Sequence, residues 1–496
     1  MSEYEVLIVG SGPAGIFTAY TLIDHGVEGE EICIIEKGSS SKERDSYSVE
    51  GFGGAGLFSD VKLCMRFDTG SKLPEIYFED ILNRFKRDKK FRKEILREVK
   101  FAKSSNYGQI LYSLLHAKAY EPLTKTFERV KGIFSEFCER AGIEKDFYNL
   151  YKEEEHFKKY VEPILIEENL DISSYYPVIH LGSDQGRKLI EEFEKYFKEE
   201  GAELKLNTEI KSIERCGNRF EVTNSKENAY DSDILVLACG KGKSNWMVTQ
   251  LKNLGVETVE DNTWIGVRVE TKKSESNKLT RYVGDDPKIK WPWMRDWSDD
   301  WMIKLHCFVE GGEVISYPWE NITLVGGRAE SRRSEENTNF DILYSDYALT
   351  SKYVRGKLKK LEKGLKIPVA QRFEDYLNDT PTESLSDNSV KPTLKNYRTG
   401  NVRRVLSEFR KNFAEKLPTF MKKINRLYPG VADSDTLIYF PVIEWGSERV
   451  KVDINMETNI RNLYAVGDGA GITQGIIAAA ISGAIAGSSI SRKMRK

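Results

Sequence analysis

The chain opens on a turn that few folds can accommodate. An apolar run, Tyr4-Glu-Val-Leu-Ile-Val, passes straight into Gly10-Ser11-Gly12-Pro13-Ala14-Gly15, and the helical spacing of Ile16, Ala19, Leu22 and Ile23 follows at once. Strand, glycine turn and helix in this order build the phosphate-binding corner of a βαβ unit. Gly10 permits the sharp exit from the strand, Gly12 leaves no side chain between backbone and pyrophosphate, and Gly15 lets the helix pack closely on the sheet. The helix start then offers unpaired N–H groups and a partial positive charge to a dinucleotide.

A second short strand, Ile32-Cys-Ile-Ile, ends in Glu36-Lys37, about 20 residues past the glycines, where a carboxylate is placed to accept ribose hydroxyls. Such a carboxylate repels a 2′-phosphate, so the site should reject NADP. Near the other end, Asn462-Leu-Tyr-Ala-Val-Gly467-Asp468-Gly469-Ala-Gly471-Ile-Thr-Gln474-Gly475 repeats the order of strand, glycine turn and helix. The two clusters read as parts of one nucleotide site.

Composition narrows the class. With 496 residues the chain exceeds one ordinary core, and two domains, or one interrupted by another, are expected. The 75 basic and 77 acidic residues nearly cancel, so no global field draws the chain to nucleic acid or membrane. Six scattered cysteines, without a CxxC pair, argue against a disulfide framework, an iron–sulfur cluster or a zinc site. No basic, apolar and small-residue leader precedes the first strand, which predicts a cytoplasmic protein. The apolar stretch Gly475 to Ile490, with Gly483 and Gly487 inside it, is too short for a bilayer span and is expected to pack closely on a sheet.

Along the chain, Gly51-Phe-Gly53-Gly54-Ala-Gly56-Leu-Phe-Ser59-Asp60 is a glycine loop suited to backbone contact with a flat or charged group. Residues 73–165 show Lys/Glu-rich helical periodicity and read as a helical insertion. Strands at 178–182, 201–210, 219–222 and 233–237 return the chain to the first sheet, the last ending in Ala238-Cys239-Gly240. Residues 263–435 alternate strands with later helices. The expected architecture is α/β: a Rossmann-like nucleotide domain from 1–72, 166–262 and 436–496, the helical insertion 73–165, and an α+β substrate or cap domain 263–435.

The ordered set Gly10 to Gly15, Ala238-Cys239-Gly240 and Gly467-Asp468 resembles the two-dinucleotide-binding-motif flavoproteins, over nearly the full length. Gly51 to Asp60, His180-Leu-Gly-Ser-Asp184, Gly311-Gly-Glu-Val314 and Gly467 to Gly471 narrow the resemblance to their FAD-dependent dehydrogenases. One departure is Val61, where glycine is expected. The resemblance implies FAD, rather than NAD, and redox chemistry, but no substrate. It implies that Asp468 bonds a ribityl or phosphate-linked oxygen and that the helix from Gln474, Gly475 and Ile476 points at the flavin pyrimidine. It also implies that the Gly53, Gly54 to Ser59 loop follows the flavin edge and that Ile210 meets adenine.

Hydride transfer through flavin N5 needs orientation and a dry pocket more than a nucleophile. Candidate proton donors are His180, His306, Cys307, Cys64 and Tyr317. His306 and Cys307 alternate on one strand, so only one of the two is expected to face the flavin, and core packing is the better reading of Cys64. The Trp291-Pro-Trp293 loop either lines an aromatic or prenyl pocket, which points to an apolar organic substrate, or simply caps the domain. No second GxGxxG occurs, so electrons come from NAD(P)H at a shared pocket, from ferredoxin, from quinone or from the substrate itself. The leading reading is an FAD-dependent oxidoreductase. Its rivals are an isoprenoid double-bond reductase resembling geranylgeranyl reductases, whose Tyr-x-Trp-x-Phe-Pro element Tyr317-Pro-Trp319 begins, and a flavin-binding redox sensor or scaffold without turnover.

Overall fold

The computed structural model describes residues 2–44, 50–101, 107–148, 154–172, 177–292, 300–332, 336–444 and 448–495. In chain order it opens with β1 (Ser2–Val9), α1 (Pro13–Asp24), β2 (Ile32–Ile35) and β3 (Lys62–Cys64), followed by α2 (Leu73–Arg87), α3 (Lys89–Phe101) and α4 (Tyr107–Arg140). Then come β4 (Val178–His180), α5 (Gly182–Glu199), β5 (Glu203–Lys205), β6 (Ile210–Cys216), β7 (Arg219–Asn224) and β8 (Ala229–Leu237). The next group is β9 (Trp264–Lys272), β10 (Ile289–Trp291), β11 (Trp301–Glu310), β12 (Glu313–Trp319), β13 (Ile322–Arg328), β14 (Asn337–Asp346), β15 (Val369–Arg372), α6 (Val402–Asn425) and β16 (Leu437–Glu444). β17 (Leu463–Ala465) and α7 (Ile476–Met494) complete the chain's main elements.

The first sheet runs β5-β2-β1-β8-β7-β6, with β17 also paired to β8. β1 pairs in parallel with β2, Val6 opposite Ile32, and with β8, Val6 opposite Ile234. β17 is parallel to β8 as well, Ala465 opposite Leu237. Val6, Leu7, Ile8, Ile32, Ile34, Leu235 and Val236 are fully buried, as expected of parallel strands covered on both faces. The chain leaves β1 toward β2 on one side and finds β8 on the other. That reversal opens a crevice at the carboxyl ends of β1 and β8, where Gly10 and Ala238 to Gly240 lie.

Helix α7 lies against α1, not against a sheet as the sequence suggests. A Cβ on Gly483 would sit 2.1 Å from the Ala14 carbonyl oxygen, and one on Gly487 2.7 Å from that of Thr18. Thr18 Oγ1 donates to the Gly483 carbonyl at 3.2 Å. The small residues therefore serve contact between two helix backbones. Among the described residues no helix is long and apolar enough to cross a membrane.

The second large sheet contains β15-β16-β9-β14-β11-β10 as neighbours. Ile265, Val267 and Val269 of β9 share a core with Ile303 and Leu305 of β11, Phe340 and Ile342 of β14, and Phe409, Phe413 and Leu417 of α6. Side chains alternate along a strand, so Arg268, His306 and Asp341 belong to the opposite face. Arg268 and Asp341 are buried even so, at 0% and 3% exposure.

Alternation fails at one place on β11. His306 pairs with Asp341 and Val309 with Asn339, so three positions on β11 span two on β14. Cys307 takes a left-handed φ of +48° within this bulge. Both His306 and Cys307 consequently line the same cleft. The expectation that only one of them faces it is corrected by this extra residue.

Candidate active site

One cleft of about 450 Å³ joins the two sheets. Gly10, Gly12, Pro13 and Ala14 line it at the end of β1, and Glu36 and Lys37 at the end of β2. Gly54 and Ser59 come from the glycine loop, Ile210 and Gly240 from the far strands, and Gly467, Asp468, Gln474, Gly475 and Ile476 from the turn into α7. Facing them across the cleft are His306, Cys307, Tyr317, Arg328, Asp341 and Glu444.

The glycines sort by what a side chain would meet. At Gly10 a Cβ would lie 2.3 Å from the Ala238 carbonyl oxygen, and at Gly15 2.0 Å from that of Gly10, so both are demanded by the protein's own packing. At Gly12 the nearest atom is 3.8 Å away, and at Gly240 and Gly475 nothing lies within 4 Å. All three line the cleft; a left-handed φ of +66° at Gly240 and +112° at Gly475 already favours glycine there, whereas Gly12 is bare without a packing or conformational need, as expected of backbone cleared for a ligand. Neither α1 nor α7 has an acidic residue in its first turn or a side-chain hydrogen bond at its N-cap. Both positive helix ends are left for an anion. A dinucleotide with phosphates at α1 and its second ring system at α7 fits this cradle.

Glu36 stands where the ribose was expected, but its carboxylate has protein donors. Oε2 accepts from Ser11 N at 3.0 Å and Ser11 Oγ at 2.8 Å, and Oε1 from Gly38 N at 2.9 Å and Gly51 N at 3.0 Å. Glu36 thereby ties the fingerprint turn to the glycine loop, and ribose hydroxyls would share oxygens already engaged. Arg44, which sequence reading missed, holds the same loop from behind. Its Nη1 donates to the carbonyls of Phe52 at 3.0 Å and Gly54 at 2.9 Å, and burial pushes its guanidinium down to about 10.

Three further fingerprint and loop positions stand behind the cleft wall. Ser11 and Gly15 are buried, and Gly53 N donates to the Ser11 carbonyl at 2.9 Å while its α-carbon packs against Ile190. They shape the cradle without lining it. Val61, where glycine was expected, does adopt the left-handed conformation that glycine favours, φ +48°.

His180 does not join the site. It is 7% exposed, is absent from the cleft lining, and bonds Asp60 through Nε2, while Asp60 pairs with Lys62 at 2.9 Å. The β3–β4 pairing sets His180 opposite Lys62 and fixes this triad as an internal brace. Cys64 likewise lies outside the lining. Trp291 packs edge-on to Trp301, with ring centroids 5.0 Å apart, and joins the core under the second sheet; Trp293 lies outside the described residues. The aromatic side chains that do line the cleft are Tyr317, Trp319 and Trp246.

The far wall is built of paired charges. Arg268 Nη1 donates to Asp341 Oδ1 at 2.9 Å and its Nε to Asn339 Oδ1 at 2.9 Å. Gly327 makes room for the guanidinium, since a Cβ there would fall 1.7 Å from Arg268 Nη2. Lys241 Nζ lies 3.2 Å from Glu444. His306 Nδ1 is buried, lacks a hydrogen-bond partner, and stands 3.9 Å from Asp341 Oδ2. Burial, and then the charges of Lys288, Lys304, Lys62 and Lys241, hold the imidazole well below its ordinary value, so it is neutral at pH 7. His306, Asp341 and Glu444 bring ligand atoms within 4.8 Å of one another. Arg268 and Lys241 already balance both carboxylates, so a divalent cation there would enter a field of two adjacent positive charges. Burial raises the Cys307 thiol, which keeps it protonated. Asp468 accepts from Thr473 Oγ1 at 2.8 Å, and burial pushes its carboxyl up to about 7.

A family model described as an FAD binding domain matches residues 3–45. No curated protein matches the chain. Among solved structures, a flavoprotein/dehydrogenase from Cytophaga hutchinsonii is 10% identical, with 100% of this chain and 79% of that one covered and a TM-score of 0.36. Glycine oxidase from Geobacillus kaustophilus is 11% identical over 99% of this chain and 95% of that one, with a TM-score of 0.39. NikD, an amino acid oxidase of nikkomycin biosynthesis, is 10% identical over 99% and 94%, with a TM-score of 0.41. The matched fingerprint marks residues 3–45 as an FAD-binding segment, and the cradle around it fits FAD as the cofactor.

Proposed function

We propose that this flavoprotein is an FAD-dependent oxidoreductase, passing a hydride between flavin N5 and an organic substrate held against the β11–β14 wall. The observation that carries the reading is the continuity of the cleft: the residues of the FAD fingerprint and those of the charged wall line one cavity. In this reading residues 1–72, 166–262 and 436–496 hold the cofactor, 263–435 supply the substrate wall, and 73–165 are an insertion. FAD, when bound, supplies the hydride donor or acceptor, and no protein nucleophile is required.

The chain's own residues then have distinct tasks. The N-terminus of α7 at Gly475 and Ile476 stabilises negative charge placed before it. Asp468 orients the turn that presents that terminus, through Thr473 and through Gly475 N at 3.4 Å. Neutral His306, which burial and the surrounding lysines keep unprotonated, accepts a hydrogen bond from the substrate, and the Tyr317 hydroxyl, which burial keeps protonated, is the donor in the same cleft. Cys307 stays a thiol and shapes the pocket.

The test is anaerobic. Flavin in the purified protein is reduced with candidate organic donors, and photoreduced protein is mixed with NAD(P)+, oxidised ferredoxin, quinones and organic acceptors. Reduction or reoxidation faster than free FAD by one of these supports the proposal. Flavin that never turns over with any pair overturns it in favour of a redox sensor or scaffold. A second reading rests on Tyr317, Pro318 and Trp319 all lining the cleft. It is reduction of an isoprenoid double bond, and failure of reduced protein to saturate isoprenoids of every length tried removes it.

A further inference from the structure

The helical insertion carries a surface feature that the flavin site does not use. Residues 84–100 hold nine basic and three acidic residues, net +6 in a chain whose total is −2. Helices α3 and α4 meet over a small core of their own, Phe91, Ile95, Val99 and Leu115, and leave a groove of about 610 Å³ beside it. The groove has a floor of Leu96, Val99 and Leu111 and a rim of Lys89, Arg92, Lys93 and Arg97. Among the described residues no acidic side chain lines it and none of those four cations forms an ion pair. Leu96 is 41% exposed and Tyr107, at the groove's end, 57%.

We infer that this groove docks an acidic amphipathic helix of a partner protein. Apolar floor and wholly basic rim are the complement of a helix with one apolar stripe flanked by carboxylates. The 13 residues of α3 run about 20 Å, long enough for three to four turns of such a helix. A bilayer surface is the poorer fit, because a membrane-binding helix projects its whole apolar face, whereas Val99 of this floor is buried and the floor is shared between two helices. A nucleic acid would satisfy the rim but leave the Leu96, Val99 and Leu111 floor unused.

The experiment uses the full FAD-loaded protein and a fluorescein-labelled amphipathic peptide of Leu and Glu, about four helical turns long. Fluorescence anisotropy should show saturable binding that weakens as salt rises from about 0.05 to about 0.3 M. The charge-reversed variant K89E/R92E/K93E/R97E should bind at least tenfold more weakly, and Leu96→Asp severalfold more weakly, each with wild-type FAD content. The single variant R92E covers failure of the quadruple variant to fold. Absence of peptide binding to the wild type, indifference to both charge reversal and Leu96→Asp, or tighter binding of phosphatidylglycerol vesicles or single-stranded oligonucleotide than of the peptide would each overturn the inference.

Discussion

At its dinucleotide end the cleft is walled by backbone, and at its far end by charged side chains. Gly12, Gly240 and Gly475 expose bare chain to the ligand, aided by two helix termini, and the electrostatics are those of N–H groups fixed by secondary structure. Across the cleft, Arg268 and Asp341, Lys241 and Glu444, and the unpartnered His306 set the field with ionisable groups drawn from separate strands. The first end is specified locally: a short stretch of sequence fixes the turn, and the turn fixes the dipoles. The second depends on strand register, because Arg268, His306, Asp341 and Glu444 meet only after β9, β11, β14 and β16 have paired. One end is therefore tolerant of surrounding sequence and intolerant of any side chain, and the other is the reverse.

The largest effect should come from unpairing the far wall. Arg268→Met leaves the Asp341 carboxylate buried, with a side chain only 4% exposed, and should destabilise the fold by about 3–5 kcal/mol in urea unfolding. The double variant R268M/D341L should recover much of that loss, because the cost lies in the orphaned charge rather than in the absent pair. A loss below about 1 kcal/mol for R268M would show that this wall is not organised by charge.

Next in size is a contrast between two glycines of the same turn. Gly10→Ala forces a Cβ to within 2.3 Å of the Ala238 carbonyl oxygen, at a φ of +106°. It should cost the apo protein about 2–3 kcal/mol. Gly12→Ala meets nothing closer than 3.8 Å and should leave apo stability within about 0.5 kcal/mol of wild type. It should nevertheless weaken FAD about tenfold, equivalent to about 1.4 kcal/mol, because the methyl group enters ligand space. Equal effects on apo stability would erase the distinction between glycines kept for packing and glycines kept for the cofactor. Differential unfolding with and without added FAD measures both quantities.

The same contrast explains what could be read before folding. Gly10, Gly12, Gly15, Glu36 and the Gly467 to Gly475 turn are legible because each sits at a fixed place in a contiguous run of strand, turn and helix, although Gly10 and Glu36 then meet Ala238 and Gly51 from elsewhere in the chain. Asn339 and Asp341 carry no local signal that Arg268 lies beside them. The only hint was Gly326-Gly327 in an otherwise apolar strand, where bare positions mark a side chain arriving from elsewhere. His306 and Cys307 were read by strict alternation, which the bulge at Cys307 breaks, and a bulge leaves no mark in composition. Nothing local to His180 shows that Asp60 and, through it, Lys62 engage its ring. Arg44 gave no signal at all, since its partners are carbonyls of a loop whose path the sequence does not show.

The smallest effect sharpens the account of the far wall through its pH dependence. His306 is held well below its ordinary value, first by burial and then by the surrounding lysines, so below about pH 6.5 the unfolded chain binds a proton that the folded chain refuses. The unfolded state then holds more protons, and stability rises with pH across this window. This contribution is complete above the unfolded value and is lost as the pH falls through it. His306→Gln keeps a neutral polar side chain and removes the titration, so its Tm should fall less steeply than wild type between about pH 7 and pH 5. Burial makes Asp468 change in the opposite sense: with its carboxyl pushed up to about 7, folding takes up a proton and stability falls as pH rises toward that value. Wild type alone would mix the two slopes, whereas the difference between wild type and H306Q isolates the histidine. A difference that stays flat from pH 7 to 5 would mean that His306 is solvated or paired in the folded protein, and the far wall would then lack the uncharged acceptor assigned to it.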